Sequence, residues 1–364
     1  MVDLFASAHR GGEYFSMQNK CKFSFSAGFN TFQLAPNSKV ASTTALARNP
    51  RDDHSLLVAF SVKESPHSIL ENRSILVEFA LDRQRPPQRL YIADSIVNSA
   101  CYSLDGTMLF AGLTDGSMVA WDLYESSSLF PVKLPWLDVQ GGIALREPSF
   151  DTSFMAATVH DGRTASVVNV QLVAGDENGP VQLCCLDESS NVSTWTVERE
   201  TKHTGVTGSR PGSRLILSLA SLVRPDPTIL RQSTSGFLIA NCLSAVPDNP
   251  LQFLIGTDIG FIMNVTRSKG ATYTGPRLYK SPMHVFGEVL CMRFSPFDNT
   301  ILAIPRVICT YVWHEKVSEQ EQTGIAYLAL GLLDDQVHVH ALEPMRSNSS
   351  QSLLILLKRM ASGL

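Results

Sequence analysis

Residues 102–123, Tyr102-Ser103-Leu104-Asp105-Gly106-Thr107-Met108-Leu109-Phe110-Ala111-Gly112-Leu113-Thr114-Asp115-Gly116-Ser117-Met118-Val119-Ala120-Trp121-Asp122-Leu123, decide how this chain folds. Two Asp-Gly pairs, Asp105-Gly106 and Asp115-Gly116, cut the stretch into three short pieces. Such pairs supply the positive-φ positions that tight hairpins require. Met108–Leu113 between them is an unbroken apolar run, of strand length and too short for a helix. Ser117–Asp122 follows and closes on Trp121-Asp122. The reading is strand, turn, strand, turn, strand.

The pattern returns along the chain. Val181–Leu186 and Val192–Val197, with Trp195, flank a turn at Asp187–Asn191. Gln252–Gly256 and Phe261–Thr266 flank Asp258-Ile259-Gly260, and Ile325–Leu333 and Gln336–Leu342 flank Asp334-Asp335. Leu56–Ser61 and Ser74–Leu81 add a strand pair upstream. Helical periodicity is nearly absent. Repeated hairpins with a terminal Trp-Asp are the signature of a WD-repeat β-propeller blade. The chain is therefore expected to be all-β, a propeller of about 6–7 blades with an incomplete ring.

Aligned on their turns, the hairpins recur every 70–75 residues or so, against ~40–45 for one blade. Extra blades or inserted loops must fill the intervals; strands at 213–221 and 287–295 point to some of each. The propeller is expected over 50–345, preceded by a segment, 1–49, in which Cys21–Phe25 reads as a ring-completing strand. Residues 346–364 read as a tail or short helix. Residues 126–164 read as loop with one or two short strands, and the polar, glycine-rich stretch 199–214 as a mobile loop.

Composition narrows the function. Hydrophobic content of 44% against 18% charged supports a sizeable core. A formal net charge of −4 offers no broad basic field for nucleic acid. Seven cysteines, at 21, 101, 184, 185, 242, 291 and 309, are scattered and mostly inside apolar runs. They read as reduced, buried thiols of an intracellular protein. The N-terminus lacks the apolar core of a signal peptide, and no apolar run approaches the ~18–20 residues of a membrane span.

Chemistry-bearing motifs are scarce. There is no G-x-S-x-G, G-x-G-x-x-G, P-loop or H-E-x-x-H pattern. Gly205–Gly212 lacks the Gly-Lys-Ser/Thr ending of a phosphate cradle. His338 and His340 share one face of a strand, as metal ligands would, yet no further ligand pair lies near them. Asp115, Asp187, Asp258 and Asp334 read as turn carboxylates, Gly116, Gly256 and Gly260 as blade glycines, and Trp121, Asp122 and Trp195 as blade packing. No catalytic, cofactor or metal site is expected. Lys202, Arg210 and Arg214 read as a solvated basic loop, or as a contact for an acidic partner segment.

Several segments resemble the WD-repeat domain of the cytoplasmic dynein intermediate chains, nearest the larger-chain branch of dynein-2. The carrying residues are Leu109–Leu123, Leu186–Trp195, Phe253-Leu254-Ile255-Gly256-Thr257-Asp258-Ile259-Gly260, Pro276–Lys280 and Phe294-Ser295-Pro296-Phe297. The string at 253–260, followed about forty residues later by Phe-Ser-Pro-Phe, is the most specific. After Ile301-Leu302-Ala303 the family continues into another Asp-Gly hairpin, whereas here the chain runs through Pro305 to Cys309–Trp313, about one blade short. The resemblance implies a non-catalytic scaffold that grips the dynein-2 heavy-chain tail beside a second intermediate chain and meets intraflagellar transport proteins. It implies a place in the cytoplasm, cilium and cytoskeleton, in retrograde transport and cilium assembly. The family's light-chain-binding N-terminal region has no counterpart here, so light chains are not expected as partners. A WD-repeat adaptor of another complex shares every blade feature, and a propeller enzyme would need polar side chains converging on the channel.

Overall fold

A computed structural model describes residues 39–52, 54–65, 67–80, 86–136, 139–155, 165–173, 180–199, 206–224, 238–246, 249–267, 277–279, 288–294, 302–303, 326–331 and 337–342. The expected strand at Cys21–Phe25, the tail at 346–364, Trp313 and Asp334 lie outside them. The chain divides into a unit spanning Gly28–Ile304 and a second drawn from Met1–Ala27 and Pro305–Leu364.

The larger unit is built of antiparallel sheets arranged as blades. Blade 1 is β1 (Lys39–Ala47), β2 (Ser55–Glu64), β3 (Arg73–Ala80) and β4 (Arg89–Ala93). Blade 2 is β5 (Val97–Tyr102), β6 (Met108–Leu113) and β7 (Met118–Asp122). After β7 the chain makes a separate hairpin, β8 (Lys133–Trp136) and β9 (Val139–Arg146), before β10 (Phe150–Asp151) closes the blade's outer edge. Blade 3 is β11 (Val167–Val173), β12 (Val181–Asp187), β13 (Val192–Arg199) and β14 (Leu215–Val223). Blade 4 is β15 (Ala240–Val246), β16 (Asn249–Thr257), β17 (Ile262–Thr266) and β18 (Leu278–Tyr279). β19 (Arg293–Phe294) and β20 (Leu302–Ala303) pair as the start of a further sheet. In the smaller unit, β21 (Ala326–Gly331) pairs with β22 (Val337–Leu342), setting Leu328 opposite His340 and Leu330 opposite His338.

The first strands of successive blades, β1, β5, β11, β15 and β19, are neighbours in that order, so the sheets stand radially around a common axis. Ser99 Oγ accepts from Val170 N at 3.1 Å and Asn98 Nδ2 donates to Val167 O at 3.0 Å, tying β5 to β11. Blades 2 and 3 bury both faces against their neighbours. Leu109 and Trp121 join Leu57, Leu76 and Tyr91 on the blade 1 side. Phe110 and Met118 join Val167, Leu183 and Trp195 on the blade 3 side. Cys184 and Leu186 turn the other way, onto Leu243, Phe253 and Ile255 of blade 4. Successive strand residues face opposite sides, so a strand covered on both faces is apolar throughout. That is why Met108–Leu113 reads as a continuous run and is buried at every position.

The intervals between hairpins resolve into outer strands and insertions. Residues 215–223 are the fourth strand of blade 3, not an extra blade, whereas β19 within 287–295 opens the next sheet. The stretch 126–164, read as loop with one or two short strands, holds the β8–β9 hairpin as well as β10, and the hairpin adds to blade 1: β9 pairs in parallel with β4, Leu90 opposite Leu145 and Tyr91 opposite Arg146. Its Leu134 and Leu145 cover Phe60, Ile75, Val77 and Leu90, and the hairpin occupies an edge that would otherwise present unpaired backbone. Among the described residues, no helix is long and apolar enough to cross a membrane.

Candidate partner-binding face

Counting strands a to d outward from the axis, each blade has two ends. One carries the tight b–c turns and the d–a connections; the other carries the a–b turns and the longer c–d connections.

At the b–c end the turns are built alike but capped differently. In blades 2 to 4 an amide three residues past the opening carbonyl closes a short loop: Gly116 N donates to Leu113 O, Ser190 N to Asp187 O and Gly260 N to Thr257 O. These three equivalent residues have φ of 87°, 68° and 79°. Glycine takes such angles freely; serine does so under strain. The carboxylates sit at three different positions around that frame. Asp115 Oδ1 accepts from Ser117 N at 2.9 Å and Ser117 Oγ at 2.7 Å. Asp187 accepts from Asn191 N and Nδ2, both at 2.8 Å. Asp258 Oδ1 accepts from Ile239 N at 3.2 Å, reaching the d–a connection. Gly256 sits one residue before its turn, as Gly112 does in blade 2. A Cβ there would stand 2.5 Å from Val289 Cγ1, and one on Gly112 would stand 2.3 Å from Val167 Cγ1, so both mark close approach of the next blade. Burial, and the nearby negative charges of Asp115 and Asp94, raise the Asp151 carboxyl against the hydrogen bonds from Ser153.

At the c–d end side chains link blades. Trp121, 1% exposed, donates Nε1–H to Arg146 O at 3.2 Å and meets Tyr91 edge-on at 5.6 Å between ring centres. Trp195 instead donates to Ser193 Oγ at 3.0 Å inside its own strand. Asp122 Oδ1 accepts from Tyr124 N and from Arg199 Nη2, each at 3.0 Å. Arg199, from blade 3, also donates to Thr107 O and Oγ1, and its guanidinium lies 4.9 Å from the centre of the Tyr124 ring. Arg210 pairs with the buried carboxylate of Glu125, and Phe130 lies under two guanidinium groups, Arg146 at 5.1 Å and Arg210 at 4.8 Å. Burial opposes ionisation of Asp105, yet Ser103, Thr107 and the Arg199 charge hold its carboxyl below the usual range.

Arg210 is thus not the solvated loop residue that its sequence neighbours suggest. Its side chain is 16% exposed, and residues 208–210 lie along blade 2: Asp151 N donates to Gly208 O and Arg210 N to Ser149 O. Lys202 lies outside the described residues; Arg214 is exposed. Arg146, Arg199, Tyr124, Glu125 and Phe130 escaped the sequence reading because their partners stand far off, Arg210 and Glu125 being 85 residues apart. Among the described residues, no three histidine, cysteine or acidic side chains gather as a metal site.

No family model matches the chain. It is 27% identical over 263 residues, 64% of its length, to mouse (Mus musculus) cytoplasmic dynein 2 intermediate chain 1. It is 26% identical over 261 residues to the human (Homo sapiens) protein of that name. The match spans about a quarter of those relatives, 25% and 24% of their lengths. Among solved structures, the β-propeller domain of Cps50 (Swd1) from Myceliophteria thermophila aligns over 84% of this chain and 76% of its own, at 12% identity and a TM-score of 0.39. The blade assignment rests on the strand pairings above, and in sequence this blade-built chain is similar to cytoplasmic dynein 2 intermediate chain 1.

Proposed function

We propose that this chain serves as the propeller of a dynein-2 subunit: a non-catalytic scaffold that holds the heavy-chain tail beside a second intermediate chain. It would act in the cytoplasm and cilium, in retrograde intraflagellar transport and cilium assembly. The observation that carries the reading is the 263-residue likeness to a dynein 2 intermediate chain. Stacked sheets buried on both faces suit such a task, because their ends offer surfaces already ordered before a partner arrives. The test is co-expression with a recombinant dynein-2 heavy-chain tail followed by size-exclusion chromatography. Co-elution in one peak is expected. Separate elution, with the chain folded, would assign it to another assembly.

A further inference from the structure

We infer that Glu125 and Phe130 form a hub through which two straps on the outer edges of blades 1 and 2 open together. The first strap is the β8–β9 hairpin, whose β9 lies along β4. The second is residues 206–213, which lead into β14 and lie along β10. Ser209 bridges to Phe150, Asp151 N donates to Gly208 O at 2.8 Å and Arg210 N donates to Ser149 O at 3.0 Å. The approach is close, since a Cβ on Gly208 would stand 2.4 Å from Asp151 O. Each strap pairs with an edge that would otherwise present open backbone.

Both straps are held at one place. Arg146, at the end of β9, donates from Nη1 to Glu125 O at 2.9 Å. Arg210, from the second strap, pairs with the buried Glu125 carboxylate. Phe130, itself buried, packs against both guanidinium groups, 5.1 Å and 4.8 Å from its ring centre. An aromatic face attracts a cation most where water is excluded. Release of Arg210 leaves the carboxylate buried without its cation. Release of Arg146 uncovers the ring on which Arg210 also rests. Each release lowers the cost of the other, which is the condition for coupled opening. The two edges are then bared as one local unit, less stable than the core strands.

The test is native-state hydrogen exchange of the full chain across low denaturant concentrations. Leu145 reports the first strap through its amide bond to Val132 O, because a hairpin off its sheet does not hold its own bonds. Asp151 and Arg210 report the second through their bonds to Gly208 O and Ser149 O, and the amides of β6 and β12 report the core. Protection of the three strap amides is expected to agree within about twofold, with one denaturant slope, and to lie about tenfold or more below the core. Phe130→Leu keeps an apolar side chain and loses the aromatic face, so Leu145 should part from Asp151 and Arg210 by about fivefold. Arg146→Lys keeps the charge without the planar stack and should part them in the same way, which serves if Phe130→Leu does not fold. Unequal protection of the two straps in the wild type, protection equal to that of the core, or straps still matched in the folded variants would overturn the hub.

Discussion

The two ends of these blades solve different problems. At the b–c end the carboxylates of blades 2 and 3 cap their own turns, Asp115 bonding Ser117 and Asp187 bonding Asn191, while Asp258 bonds Ile239 on the connection into its blade. At the c–d end two side-chain ion pairs join different blades, beside a local network of Ser103, Asp105 and Thr107. Arg199 reaches Asp122, Arg210 reaches Glu125, and β9 leaves blade 2 to pair with β4 of blade 1. The lesson is a division of labour. Turn carboxylates shape the hairpins, and the longer connections carry the charged side chains that tie one sheet to another.

The largest effect expected is at Trp121, where core and connection meet. Trp121→Ala should cost about 3–5 kcal/mol, read from denaturant unfolding. Next comes the inter-blade pair. Arg210→Ala leaves Glu125 buried without its cation and should cost about 3 kcal/mol, whereas Arg214→Ala, one turn away on exposed chain, should stay within about 0.5 kcal/mol. Equal effects would erase the distinction between a tie and a solvated loop. The b–c turns should respond more weakly, and with opposite signs. Gly116→Ala forces a side chain to φ 87° and should cost about 1–2 kcal/mol. Ser190→Gly relieves φ 68° and removes a buried hydroxyl without a partner, so it should stabilise by about 1 kcal/mol.

The smallest effect belongs to neither end. Burial in blade 4 pushes the Cys242 thiol from an ordinary 9.0 to about 12. Because the folded value lies above the unfolded one, the protonated thiol's contribution is complete below pH 9 and is lost as pH rises toward 12. Thermal melts should be flat to about pH 9 and fall beyond it, with a shallower fall in Cys242→Ala.

Reading the sequence captured what is local. The hairpins at 108–122, 181–197 and 252–266 were legible because apolar strands and turn residues lie within one short window. Gly116 and Gly260 announced both their turns and their positive φ; the turn at Asp187–Asn191 was legible too, but not the positive φ of Ser190 within it. Outer strands such as β10 and β18, two residues each, carry no pattern of their own. The pairing of the β8–β9 hairpin was hidden for another reason: its strands extend a sheet whose previous strand, β4, ends some forty residues earlier, and nothing within 126–148 names that partner. The interface side chains failed in the same way, since a guanidinium's neighbour across two blades leaves no trace in spacing.

Hydrogen exchange on the chain alone and with a dynein-2 heavy-chain tail tests the whole account at once. Amides at one end of the blades, either 104–107 and 122–132 or 114–117, 188–191 and 258–260, should slow when the tail is added. No slowing at either end would contradict it.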